Sequence, residues 1–303
     1  MRFGKFGARL GSATSKRAFA ARKYVHQHLT ALRSHEPRRL LFILGCQRSG
    51  TSLMQWAFEK DLDVKAYHEY SEISGPEEGK HIRLQPLDKV RAILDRDRAR
   101  LIVAKPLVET QNAHSLLSYF REAKAVFLYR NHAAVAASNL KTFGVRNGIN
   151  NLRPIVDGDT ANWRAEGVPP DVRELVTARF REDMKPHDAA ALFWYVRNRF
   201  FFDLGLDRHP SVMLLRYEDL VREPVRMLQR VYRFTGMNSE AVGASLVHGE
   251  SIGKGQDIEL SEDVRDLCAG LLERLHAVNA MSLAAEAVDG HARRAESQPR
   301  KRA

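Results

Sequence analysis

Gly45-Cys46-Gln47-Arg48-Ser49-Gly50-Thr51-Ser52 gathers two glycines, one guanidinium and three hydroxyls into a single short stretch. A glycine at each end lets the backbone fold back so that successive N–H groups face one point. A helix beginning after the second glycine adds its positive end, and such a loop holds an anion, most often a phosphate. The spacing is G-x-x-x-x-G, but Thr51 stands where a nucleoside triphosphate site carries lysine. In an NTPase loop that lysine reaches the outer phosphates and the next hydroxyl holds magnesium. Arg48 inside the loop, with Ser49, Thr51 and Ser52, suits instead an anionic group held without a metal. The bland alternative is a strand and turn that bind nothing.

Further reactive side chains stand where apolar runs stop. His68, Glu69 and Glu72 follow the run 64–67, Lys105 follows 101–104, and Arg130 follows 125–129 with Ser138 eight residues later. Ligands of open parallel sheets bind beyond the carboxyl ends of the strands. The planar fork of an arginine suits a dianionic phosphate, and a nearby hydroxyl adds one more donor. Each residue also has an ordinary reading: the carboxylates as exposed loop residues, and Lys105 as a charge that marks where burial ends.

These residues need elements to position them. The apolar run 40–44 and the periodic segment 50–60 read as strand, tight loop and helix. Strands at 64–67, 101–104, 125–129 and 211–216 alternate with helical patterns at 87–98, 112–120, 133–140, 172–180, 189–204, 224–234 and 262–278. That alternation predicts a three-layer α/β/α domain around a central, mainly parallel sheet. Residues 74–86, with Gly75, Pro76, Gly79 and Pro86, read as a mobile loop, and 143–170 as a long aperiodic insertion. Loops of this kind set substrate choice.

The order Gly-x-x-Arg-Ser-Gly-Thr-Ser-Leu at 45–53 resembles the 5′-phosphosulfate loop of the sulfotransferases that use 3′-phosphoadenylyl sulfate (PAPS), with motifs nearest the bacterial and the tyrosylprotein and carbohydrate branches. The resemblance covers about 40–280 and implies a P-loop NTPase-like sulfotransferase fold. It implies that Gln47, Arg48, Ser49, Gly50, Thr51 and Ser52 bind the donor. Arg130 and Ser138 match the family's 3′-phosphate pair, although Asn131 replaces the usual acidic residue and keeps its capping ability. Tyr217, in Arg216-Tyr217-Glu218-Asp219-Leu220, matches a residue that lines the cofactor pocket, and glycine-flanked Lys254 matches a basic loop that folds over the 3′-phosphate. Lys105 stands where relatives contact the transferring sulfuryl group. In the tyrosylprotein branch an acidic residue at the place of Glu69 takes the acceptor's proton; His68 and Glu72 are rivals that a small alignment slip would exchange for it. Trp194 and Asn198 resemble residues of the equivalent family helix, but an aromatic face there reads as core.

The activity so implied is in-line sulfuryl transfer from PAPS to a hydroxyl or amine of a small-molecule, glycan or peptide acceptor, releasing adenosine 3′,5′-bisphosphate (PAP) and needing no metal. Glu69 would be the base, while Arg48 and Lys105 would stabilise charge. A P-loop phosphotransferase such as a nucleotide kinase, and a non-catalytic scaffold that keeps the fold, are the alternatives.

Composition narrows the classes further. With 303 residues and 44% hydrophobic content, the chain sustains a folded core. The net charge of +11 belongs to the ends: residues 1–40 carry +9 and 291–303 carry +4, which leaves −2 for the remainder. A nucleic-acid partner therefore loses its main support. Cys46 and Cys268 are the only cysteines, too few for a disulfide framework, and a reducing compartment is expected. No run is long and apolar enough for a membrane span or a secretory signal, so the expected location is cytoplasmic. The expected organisation is a basic amphipathic extension at 1–38, a sulfotransferase domain at 39–282, and a basic tail at 283–303 that reads as disordered. A helix is expected at 15–33, with Ala18, Ala21, Val25, Leu29 and Leu32 on one side. Its ordinary reading is packing on the domain with a solvated basic face; peripheral attachment to an anionic membrane and organelle targeting are the alternatives.

Overall fold

Leu40, Phe42 and Leu44 belong to one core cluster and Leu41 and Ile43 to another. A strand buried on both faces must lie inside a sheet that helices cover on both sides. A computed structural model, which describes residues 13–33, 36–75, 82–247 and 258–297, places this strand at the centre. In chain order the elements are α1 (Ala13–Arg33), β1 (Arg39–Gly45), α2 (Thr51–Glu59), β2 (Val64–Tyr67), β3 (Ser74–Gly75), β4 (Arg83–Leu84), α3 (Leu87–Leu94) and β5 (Leu101–Ala104). A 3-10 turn (Leu107–Asn112), α4 (Ala113–Tyr119), β6 (Ala123–Tyr129), α5 (His132–Phe143), α6 (Asn147–Asp157), α7 (Pro170–Arg179) and α8 (Pro186–Asp203) follow. The chain continues through β7 (Val212–Arg216), α9 (Tyr217–Arg222), α10 (Pro224–Phe234) and α11 (Glu262–Ser297).

The main sheet has the order β2-β5-β1-β6-β7, and every pairing in it is parallel. The expected three-layer arrangement is the one observed. On one face Leu41, Ile43, Val103, Leu128 and Leu215 pack against α2, α9 and α10. On the other, Phe42, Leu44, Phe127 and Tyr129 meet α5, α8 and α11. Because all five strands run the same way, the ends of β1, β2, β5 and β6 open on one edge, where the predicted reactive residues lie.

Four local expectations change. The segment read as a loop at 74–86 contributes a small antiparallel hairpin, β3 with β4. The supposed aperiodic insertion holds α6. Pro154 and its asparagines masked this helix, whose buried Ile149, Leu152 and Ile155 form the inward face. Gly148 lets α6 approach α8 closely: a Cβ there would lie 2.6 Å from the Ala190 nitrogen. The last helix runs on to Ser297, so 283–297 continue it as helix and do not form a separate tail. Buried Arg230 of α10 fastens it, donating from Nε to Glu286 at 2.8 Å and from a terminal nitrogen to Ser282 Oγ at 2.7 Å.

The fourth change concerns α1, which forms as expected and packs on the domain but in the opposite orientation. Its polar side faces inward: Lys23 Nζ donates to the Glu59 carbonyl at 2.5 Å, Gln27 Nε2 to that of Leu62 at 2.9 Å, and His26 meets Asp63 at 2.7 Å. Carbonyls at the end of α2 and in the turn after it lack helical partners, and these donors satisfy them. Val25, Leu29 and Leu32 are consequently left exposed.

Candidate active site

The glycine loop is shaped by what lies against it. Gly50 has φ of +94°, and a Cβ there would sit 2.2 Å from the Tyr217 ring, so only glycine lets that ring close on the loop. Ser49 Oγ is buried without a hydrogen-bond partner. Arg48 Nε donates to Ser138 Oγ at 3.1 Å, across 90 positions of sequence. A terminal nitrogen of Arg130 approaches the Arg48 carbonyl at 3.4 Å, and its guanidinium lies 4.4 Å from the centre of the Tyr217 ring. Desolvation first, and then the like charge of Arg130, lower the pKa of Arg48 from its ordinary value.

Local chemistry explains why Arg130 and Ser138 reach this loop. Asn131 caps α5, its Oδ1 accepting from the Ala134 N–H at 3.2 Å, as its replacement of an acidic residue allowed. The capped helix then carries Ser138 two turns on, to the side where Arg48 lies. Trp194 Nε1 donates to the Arg130 carbonyl at 3.0 Å and fixes the end of β6. Sequence reasoning treated Trp194 as core. It is fully buried, yet its indole N–H also positions a site residue.

On the other side of the loop Lys105 ends β5 with its side chain 1% exposed. Its Nζ donates to Ser52 Oγ at 2.8 Å and forms an ion pair with Glu69 Oε2. Burial pushes the Lys105 pKa down, the charge and hydrogen bond of Glu69 oppose that, and Arg48 adds a further lowering. The rivals diverge here. His68 turns back to Glu59 at 3.7 Å, and Glu72 is exposed, its carbonyl accepting from Gln85 Nε2 at 2.7 Å. Thr51 is buried at the start of α2, and Gln47 is half-buried beside Arg48. Lys254 lies outside the described residues.

Behind Lys105 is a polar cluster that sequence reasoning missed. Arg83 on β4 donates to buried Glu109 at 2.6 Å and pairs with Glu166 at 2.9 Å. Asn112 bonds both carboxylates, at 2.9 and 3.2 Å. Gln111 links Glu166 at 2.7 Å to fully buried Arg197 at 3.0 Å, and burial lowers the Arg197 pKa to about 10. The β3–β4 hairpin, whose Ser74 Oγ donates to the Glu69 carbonyl at 2.7 Å, is thus joined to the 3-10 turn, the segment after α6 and α8. No short motif announces residues so far apart.

Beyond this geometry, a family model described as a sulfotransferase domain matches residues 38–249. The chain belongs to this sulfotransferase family. The matched span includes the glycine loop, Glu69, Lys105, Arg130, Ser138 and Tyr217 and ends before Lys254. Among solved structures, the sulfotransferase domain of the Synechococcus PCC 7002 olefin synthase aligns at 16% identity and a TM-score of 0.48, over 79% of this chain and 97% of its own. A sulfotransferase from Alicyclobacillus acidocaldarius aligns at 16% identity and 0.44, over 81% and 97%. Mouse sulfotransferase SULT7A1, solved with PAP, aligns at 12% identity and 0.36, over 82% and 71%. No curated protein sequence matches the chain. The protein is a sulfotransferase, an enzyme of sulfuryl transfer.

Proposed function

We propose that this sulfotransferase takes its sulfuryl group from PAPS and delivers it to a hydroxyl or amine, with Glu69 as the base. The observation that carries the reading is the gathering of Arg48, Lys105 and Arg130 about one glycine loop. A donor with anionic groups at both its 5′ and 3′ positions fits such a set. The fit is supported by the unpartnered, buried Ser49 Oγ and by the cradle that a Cβ at Gly50 would fill.

PAPS, when bound, supplies a sulfuryl group activated on a phosphate leaving group. The loop from Gln47 to Ser52 would hold the 5′ end through its backbone and hydroxyls. Arg130 and Ser138 would hold the 3′-phosphate, and Tyr217 would support Arg130 from beneath. Arg48 and Lys105 are fixed cations beside the point of transfer, where developing charge on oxygen is best stabilised. The contact with Glu69 opposes the effect of burial on the Lys105 ammonium. Glu69 Oε2 is placed beside that ammonium and would take the acceptor's proton as the new O–S or N–S bond forms.

Titration calorimetry with PAP, with AMP and with ATP plus magnesium, at one salt concentration, tests the donor. Binding that needs the 3′-phosphate and ignores magnesium is expected. A preference for ATP with magnesium would overturn the PAPS reading. Glu69→Gln tests the base: acceptor-dependent PAP release should fall about 100-fold or more, and full activity in this variant would move the role elsewhere.

A further inference from the structure

The helix α1 turns its apolar side to solvent. Ala18, Ala21, Val25, Leu29 and Leu32 fall at helical spacing along one stripe. Val25 is 53% exposed, Leu29 46% and Leu32 80%, and Tyr24 beside them is 64% exposed. Single exposed apolar residues are ordinary, but a continuous stripe calls for a partner. The helix is already held to the domain by its opposite side, through Lys23, His26 and Gln27. The stripe is therefore free of any part in that docking.

Charge identifies the occupant. Residues 13–33 contain Lys16, Arg17, Arg22, Lys23 and Arg33 and no Asp or Glu. On a helical projection Arg22 and Arg33 border the stripe on one side and Arg17 on the other. A surface that fits must be apolar within and anionic at its rim. A second copy of α1 would set arginines against arginines, whereas a bilayer with anionic headgroups meets both needs. We infer that α1 lies in the interface of an anionic lipid bilayer, with the Val25–Leu29–Leu32 stripe at the acyl boundary and Arg17, Arg22 and Arg33 among the phosphates. Tyr24, a ring with a polar tip, suits the same depth.

The position of the helix keeps this attachment compatible with catalysis. Its anchoring bonds go to the end of α2 and the start of β2, at the edge of the sheet opposite the ends of β1, β5 and β6. A membrane seated on α1 leaves the glycine loop uncovered.

Flotation of the full-length protein with phosphatidylcholine vesicles, with and without phosphatidylserine, tests the inference. Binding should require phosphatidylserine and weaken at high salt. A triple variant, Val25→Asn, Leu29→Asn and Leu32→Asn, preserves charge and should lower vesicle affinity about tenfold or more, with melting temperature and PAP binding unchanged. Equal binding by the triple variant would reduce the contact to adsorption by charge and overturn the proposal. So would a failure to bind, or a dimer in sedimentation that the same triple variant abolishes. Should the triple variant not fold, an environment-sensitive dye on Leu29→Cys gives a second readout, because Cys46 and Cys268 are buried. Its emission should shift to the blue on anionic vesicles, and an unmoved spectrum would sink the idea.

Discussion

The two sides of the glycine loop are built in different ways. On the Arg130 side every functional group belongs to an element that is itself locally specified: a loop between β1 and α2, an arginine at the end of β6, and a serine on a helix capped by Asn131. On the Glu69 side, Arg83, Glu109, Glu166 and Arg197 come from four separate parts of the chain and hold one another through a buried polar cluster. The first construction resists drift because short-range geometry repeats it each time the chain folds. The second depends on tertiary assembly, in which several groups share each partner. On the proposed reading the first side holds the donor and the second faces the acceptor.

The contrast can be broken by experiment. Lys105→Met removes the cation that joins the two sides and should reduce acceptor-dependent PAP release by about 1,000-fold or more, while PAP affinity measured by calorimetry changes far less. Glu109→Ala should cost about 2 kcal/mol in chemical denaturation, because Arg83, Asn112 and the Leu84 N–H lose a shared buried acceptor. The same variant should raise the acceptor's KM and leave PAP affinity alone; an equal loss of PAP affinity would show that the two sides are one unit. Arg130→Ala should weaken PAP about 10- to 100-fold, as loss of charged hydrogen bonds implies, and leave AMP, which lacks the 3′-phosphate, nearly unaffected.

The smallest effect lies outside both sides and serves as a control. Burial lowers the Lys23 pKa from 10.5 to about 8, against the opposing pull of Glu59. Between those values the unfolded chain binds more protons than the folded one, so this group makes stability rise with pH across the window. Below pH 8 both states hold the proton and the slope vanishes. Lys23→Met should flatten the slope in pH-dependent melting without changing PAP binding.

The same division governs what the sequence disclosed. Arg48, Arg130, Ser138 and the Asn131 cap stand within two short stretches, and their meeting required only that the strands be parallel and adjacent. Lys105 and Glu69 were legible as strand-end residues, but which of His68, Glu69 and Glu72 meets Lys105 depended on the way each side chain turned. The Arg83–Glu109–Glu166 cluster carried no signal, since pairs separated by tens of residues leave no period or motif. Helix α6 was hidden by Pro154 and its asparagines, because contact with α8 overrides weak propensity there. For α1 the period was right and the orientation wrong. Hydrophobic spacing shows that a helix has an apolar side and does not say that the domain is what covers it.

Arg48 adopts φ of +67°, a left-handed conformation that favours glycine and costs a residue with a side chain roughly 1 kcal/mol or more. On the proposed mechanism the loop accepts this penalty at a position whose charge stabilises the transfer, so stability and activity are set against each other in a single residue. Arg48→Gly and Arg48→Ala should both be inactive, yet only the glycine variant is relieved of the strain. The inert Arg48→Gly enzyme should unfold at a higher denaturant concentration than Arg48→Ala, which makes it the better trap for capturing the acceptor.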